Sequence, residues 1–97
     1  MITVFVPCDA AAKSVGADEV AQAISAAPWS VSNNVKLVRN GSRGMFWLEP
    51  MVEVDVAGQR IAYGPVTPAD VESLYAANFL QGGAHPLRLG VTAALAY

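Results

Sequence analysis

The chain has 97 residues, 54% of them hydrophobic and 14% charged, with a formal net charge of -2. That length predicts one domain over residues 1–97 with a single modest core, and that composition excludes a solvated, disordered tail. Six basic against eight acidic residues leave no electrostatic footprint for nucleic acid, and no apolar run is long enough for a membrane span. The opening MITVFVPCDA lacks the basic flank and long apolar core of a secretory signal, so a cytoplasmic location is expected.

In chain order, Ile2 to Val6 is short, apolar and rich in β-branched residues, and Pro7 stops it; it reads as a central strand. Asp18 is placed to cap a helix that carries Val20 and Ile24 four apart on one face, with Pro28 marking its end. Asn33-Asn34 reads as a turn and Val35 to Arg39 as a strand with one wet face. A strand, helix, strand unit of this length implies a right-handed parallel crossover. Met51 to Val56 and Gln59 to Tyr63, joined through Ala57-Gly58, predict a hairpin whose tight turn needs the positive φ that Gly58 supplies.

Thr67-Pro68-Ala69-Asp70 has a hydroxyl, a proline in the first turn and an acid three residues on, the pattern of a helix start. Val71, Leu74, Tyr75 and Phe79 give that helix its stripe, and Gly82-Gly83 close it. His85 to Tyr97 shows no clear period and predicts no element. The order predicts an α/β fold: a four-stranded mixed sheet, strand order 2-1-3-4, with helices packed on it, resembling the thioredoxin-like architecture.

Few residues point to chemistry. Gly41-Ser42-Arg43-Gly44 follows a strand and has the makings of an anion nest, but it matches no phosphate-loop pattern and no helix is predicted to start there, so a glycine-bearing turn is favoured. Cys8, the one cysteine, lies just past the first strand, where a redox thiol needs a second sulfur or a stabilised thiolate; neither is written nearby, and a packed, inert thiol is the favoured alternative. One Cys and one His, His85, cannot supply a zinc site of the usual ligand sets. His85 has no serine or carboxylate at a readable spacing and reads as a loop histidine. Asp18-Glu19 reads as a helix-terminal acid pair. Met45-Phe46-Trp47-Leu48 is the anomaly: four bulky apolar residues in a predicted loop must fold onto the core or meet a partner.

That loop, with Cys8 before it, resembles the two-iron ferredoxins of thioredoxin-like fold, including the small flavoprotein-side subunit of respiratory complex I. Their four cluster ligands follow C-x4-C, then C-x3-C-x3-P. The pattern falls here on Cys8, Lys13, Ser42 and Phe46, with Gly44 and Pro50 matching the surrounding positions. Three of the four ligands are absent, and neither lysine nor phenylalanine replaces a thiolate on a 2Fe-2S cluster. The resemblance therefore implies a kept scaffold and a lost cofactor, with Phe46 and its neighbours as an apolar plug.

A closer resemblance is to the N-terminal extension of the NADH- and FMN-binding β subunit of soluble molybdenum- or tungsten-dependent, NAD-linked formate dehydrogenases. It is carried by FVPCDAAAKSVGADEVAQAI, VRNGSRGMFWLEPMVEV, YGPVTPADVESL and FLQGGAHPL, over residues 1–89; residues 90–97 form a tail outside the likeness. The resemblance implies a non-catalytic structural or docking domain of an electron-transfer subunit, with no cofactor in this chain and with FMN, NAD and iron-sulfur groups in the parent. Its expected partners are other domains or subunits of that flavoprotein complex, or a second copy of the chain. Arg43, Met45, Phe46 and Trp47 are the expected docking residues. The rival expectation, from a different class, is a thiol redox protein using Cys8.

Overall fold

A computed structural model of the chain describes residues 2–8, 15–40 and 49–91. Ile2–Pro7 forms β1, Ala17–Ala26 α1, Pro28–Ser32 the short helix α2, Val35–Asn40 β2, Val52–Val56 β3, Gln59–Tyr63 β4, Val71–Ala76 α3 and Arg88–Val91 β5. The sheet runs β2-β1-β3-β4-β5, with β1 and β2 parallel and the other neighbours antiparallel. The expected order 2-1-3-4 is present, and a fifth strand extends it.

That fifth strand was unreadable for a local reason. Gly90 sits at φ 112 and the ladder with β4 slips between Ala62 and Tyr63, so the segment never shows two-residue alternation. Helix α1 also differs from expectation at both ends. Gly16, at φ 100, occupies the N-cap position without a side-chain capping bond, and Asp18 lies inside the first turn. Its carboxylate is held by Arg39 instead of bonding the helix's own amides. Pro28 does not simply end a helix: Ala27 is extended and Pro28 opens α2, where its missing N–H costs nothing.

The helix start at Thr67 is observed, although its first residues, Pro68–Asp70, form a 3-10 turn that leads into α3. The Asp70 carboxylate accepts the Thr67 N–H at 2.9 Å and its hydroxyl at 2.8 Å. The helix stops short of the expected stripe because Asn78 turns left-handed at φ 63, and Phe79–Gln81 form a separate 3-10 turn. Phe79 is therefore buried from a different element than Val71 and Leu74. Tyr75 faces outward and stacks on Trp29, ring centroids 4.6 Å apart.

The hairpin turn places both Ala57 and Gly58 at positive φ, 52 and 83, the pairing that a two-residue turn needs to follow the strands' right-handed twist. Alternation along the strands divides the sheet in two. Val4, Val6, Val52, Val54, Ile61 and Tyr63 are buried beneath the described helices and meet Val20, Ile24, Leu74 and Phe79. Each fully buried side chain of this size stabilises by roughly 1.5–3 kcal/mol. Phe5, Glu53, Arg60 and the small cluster of Met51, Ala62 and partly buried Leu89 belong to the other face.

Candidate functional site

The expected cluster loop begins where the two parallel strands end together. Pro7 pairs with Asn40 in register, and the Cys8 amide extends the ladder by donating to the Asn40 carbonyl at 2.7 Å. Continuing the β1–β3 register, in which Phe5 faces Glu53, brings Cys8 opposite Pro50. The chain thus leaves the sheet at Cys8 and at Asn40, and rejoins it at Glu49-Pro50, all at one end. Such ends of parallel strands are where open α/β sheets present loops to ligands.

Arg39 organises this end. Its Nε donates to the Val6 carbonyl at 3.1 Å, and one terminal nitrogen donates to the Pro7 carbonyl at 2.9 Å and to Asp18 Oδ1 at 2.8 Å. The ion pair alone is half in water and contributes less than about 1 kcal/mol. Its geometric effect is larger, because one rigid fork ties the last residues of β1 to the first turn of α1. Parity along β2 carries the signal for this: Arg39 lies on the same side as Val35 and Leu37, toward the helices, not on the wet side with Lys36.

At the other end of the loop, Glu49 is only 5% exposed and its Oε1 accepts the Met51 N–H at 3.1 Å. The Pro50 carbonyl accepts from Val66 at 3.0 Å. These bonds fix the approach to β3. Of the four cluster-ligand positions, Cys8 is described and half-buried. Lys13, Ser42 and Phe46 lie outside the described residues, as do the expected docking residues Arg43, Met45 and Trp47.

Whether these positions suit a 2Fe-2S cluster is decided by their donor chemistry. One thiolate, a flexible amine, a hydroxyl and a phenyl ring do not make the ligand set of such a cluster, since the ring offers no donor atom at all. Among the described residues, no three His, Cys, Asp or Glu side chains gather into a group that could take a metal ion. The residues do not fit the group.

A second arrangement had no signal in the sequence spacing. Ser73 Oγ lies 3.0 Å from His85 Nε2, twelve residues apart in the chain. The pair has the parts of a nucleophile and its base, but the protons run the wrong way. The Leu87 N–H donates to His85 Nδ1 at 3.1 Å, so the neutral ring carries its proton on Nε2 and donates it to Ser73. Ser73 in turn donates to the Asp70 carbonyl at 2.9 Å. Among the described residues no base is free to take the hydroxyl proton, so the cluster is a tie between α3 and the segment before β5.

On the sheet's other face, the Arg60 guanidinium carbon lies 3.8 Å from the centre of the Phe5 ring, with one guanidinium nitrogen 3.8 Å from Glu53 Oε1. Under the helices, burial raises the Tyr63 phenol above its ordinary pKa, while the neighbouring Arg88 pulls it down. The Tyr63 hydroxyl donates to the Gly83 carbonyl at 2.6 Å.

No protein-family model matches the chain, and no curated protein matches it in sequence. Solved structures do match. The thioredoxin-like 2Fe-2S ferredoxin from Aquifex aeolicus, in its wild-type form, is 21% identical with a TM-score of 0.71, covering 93% of this chain and 97% of that one. A cysteine-to-serine variant of the same ferredoxin gives 21% identity and a TM-score of 0.73, covering 93% and 99%. The chain has the thioredoxin-like fold of those proteins.

Proposed function

We propose that this chain is a non-catalytic structural and docking domain of an NAD-linked formate dehydrogenase electron-transfer subunit, built on a two-iron ferredoxin scaffold without the cluster. The observation that carries the reading is the sheet end at which Cys8, Asn40 and Glu49-Pro50 converge. Both ends of the expected cluster loop meet there, and the chain supplies a single thiol to it. The match over 93% of this chain to a thioredoxin-like 2Fe-2S ferredoxin supports the scaffold half of the reading. The sequence blocks around Arg43, Met45, Phe46 and Trp47 support the docking half.

In this reading the chain holds no cofactor, and FMN, NAD and iron-sulfur groups belong to the parent subunit. Its partners are the remaining domains of that flavoprotein complex, and its place is the cytoplasm. Among the described residues no helix is long and apolar enough to cross a membrane.

The test is association with a recombinant flavin- and NADH-binding formate dehydrogenase subunit lacking its own N-terminal extension. The chain is expected to bind it, and Phe46→Ala with Trp47→Ala is expected to weaken binding at least tenfold while the melting temperature of the isolated chain moves by only a few degrees. Equal losses in both, or brown protein with stoichiometric iron, would overturn the proposal.

The alternative, thiol redox chemistry at Cys8, rests on that sulfur being half-buried at the strand end. It predicts alkylation far faster than a free thiol at neutral pH, and loss of any disulfide exchange in Cys8→Ser.

A further inference from the structure

Four aromatic rings form one connected row on the helical side of the sheet. Tyr75 on α3 stacks on Trp29 of α2, with centroids 4.6 Å and planes 5° apart. Trp29 meets Phe79 edge-to-face at 5.8 Å, and Phe79 meets Tyr63 in the same way at 6.0 Å. The row runs from the interior to the surface: Tyr63 and Phe79 are wholly buried, Trp29 is 7% exposed and Tyr75 is 36% exposed.

Apolar packing explains these contacts but leaves one polar atom over. The Trp29 Nε1–H is buried and meets no acceptor among the described residues. An indole nitrogen can only donate, and a buried one usually finds a partner. The orphan costs stability, and it also decides what the ring does when it loses an electron.

Indole and phenol rings give up single electrons far more readily than the phenyl ring of Phe79. The oxidised ring becomes a strong acid, so the place where its proton can go fixes where the electron hole rests. Oxidised Trp29 has no acceptor for its Nε1 proton and stays a cation in apolar surroundings, which disfavour it. Tyr63 is no better placed, because its hydroxyl donates to the Gly83 carbonyl at 2.6 Å, an oxygen too weakly basic to keep the proton. Of these three rings, Tyr75 has the largest share in water.

We propose that Trp29 and Tyr75 form a relay that carries single oxidising equivalents out of the core. The oxidant is a small diffusing radical, which takes one electron from the Trp29 indole and leaves as its anion. Tyr75 then gives one electron to Trp29 across the stacked faces and its hydroxyl proton to water. Trp29 is restored, and a neutral phenoxyl radical remains at the surface. A soluble one-electron reductant, with a proton from water, returns it to the phenol. The tryptophan is thereby spared the oxygen addition that would disrupt the packing around Phe79.

The test is pulse radiolysis of the folded chain in azide solution, where azidyl radicals oxidise indole in preference to phenol at neutral pH. The chain has two tryptophans, so Trp47→Phe leaves Trp29 as the only indole. In that variant the green-absorbing indolyl band is expected to decay as the violet tyrosyl band rises, at a rate independent of protein concentration. Adding Tyr75→Phe, which keeps a ring over Trp29, is expected to abolish the rise. Peptide-resolved mass spectrometry gives a second reading that needs no change at Trp47. After the same exposure, oxygen addition at Trp29 is expected to increase several-fold in Tyr75→Phe over the unaltered chain. A tyrosyl band that persists in Tyr75→Phe puts the hole on Tyr63 or Tyr97 and overturns the proposal. So does a rise that scales with protein concentration, an indole that gives no transient at all, or Trp29 oxidation that Tyr75→Phe leaves unchanged.

Discussion

The two faces of the sheet are cut from the same strands, residue by residue, yet they hold different chemistry. Beneath the described helices lie Val4, Val6, Val52, Val54, Ile61 and Tyr63, joined by Phe79 and Trp29 in edge-to-face ring contacts. The opposite face sets Glu53 beside Phe5 in register and Arg60 over the Phe5 ring, with Met51 and Ala62 nearby. One face gains its stability from area removed from water, which needs only shape. The other places charges by strand pairing, where the net gain is small but the geometry is specific.

This contrast can be broken by experiment. Phe79→Ala should have the largest effect, about 3–5 kcal/mol in denaturant unfolding, because it empties the centre of the aromatic group. Tyr63→Phe should cost about 1 kcal/mol at neutral pH through the lost bond to Gly83. Its pH dependence carries a second sign. Burial holds the folded phenol's pKa above the ordinary 10.0, so the folded state keeps a proton that the unfolded state gives up. The tyrosine protein's stability is intact below that pH and falls above it. The gap between the two proteins should therefore narrow in melts carried past the ordinary tyrosine value. Arg60→Ala should be mildest, about 1 kcal/mol, since the side chain is 40% exposed and its nitrogen stands 3.8 Å from Glu53, beyond hydrogen-bond reach. A loss there as large as for Phe79→Ala would end the distinction between the faces.

What could be read beforehand follows the same division. Ile2 to Val6, the hairpin and Thr67 to Asp70 were legible because each is specified by neighbours in sequence: a β-branched run, a two-residue turn, a hydroxyl and acid three apart. The strand Arg88–Val91 was not, because Gly90 and a ladder slip erase its period. Of the candidate site, Cys8 was legible as a residue. The role of Arg39 was not, since its partners Val6, Pro7 and Asp18 are more than twenty residues away along the chain. The pairing of Ser73 with His85 has the same origin, a contact made by the fold between residues that no local rule relates.

The grip of Arg39 on Pro7 and Asp18 has a consequence for how this molecule could be altered. One guanidinium that grips both Pro7 and Asp18 makes the end of β1 and the start of α1 a single mechanical unit. Arg39→Ala should let the two ends part, read as faster amide exchange at Cys8 and Val20 while the central strands β3 and β4 keep their protection.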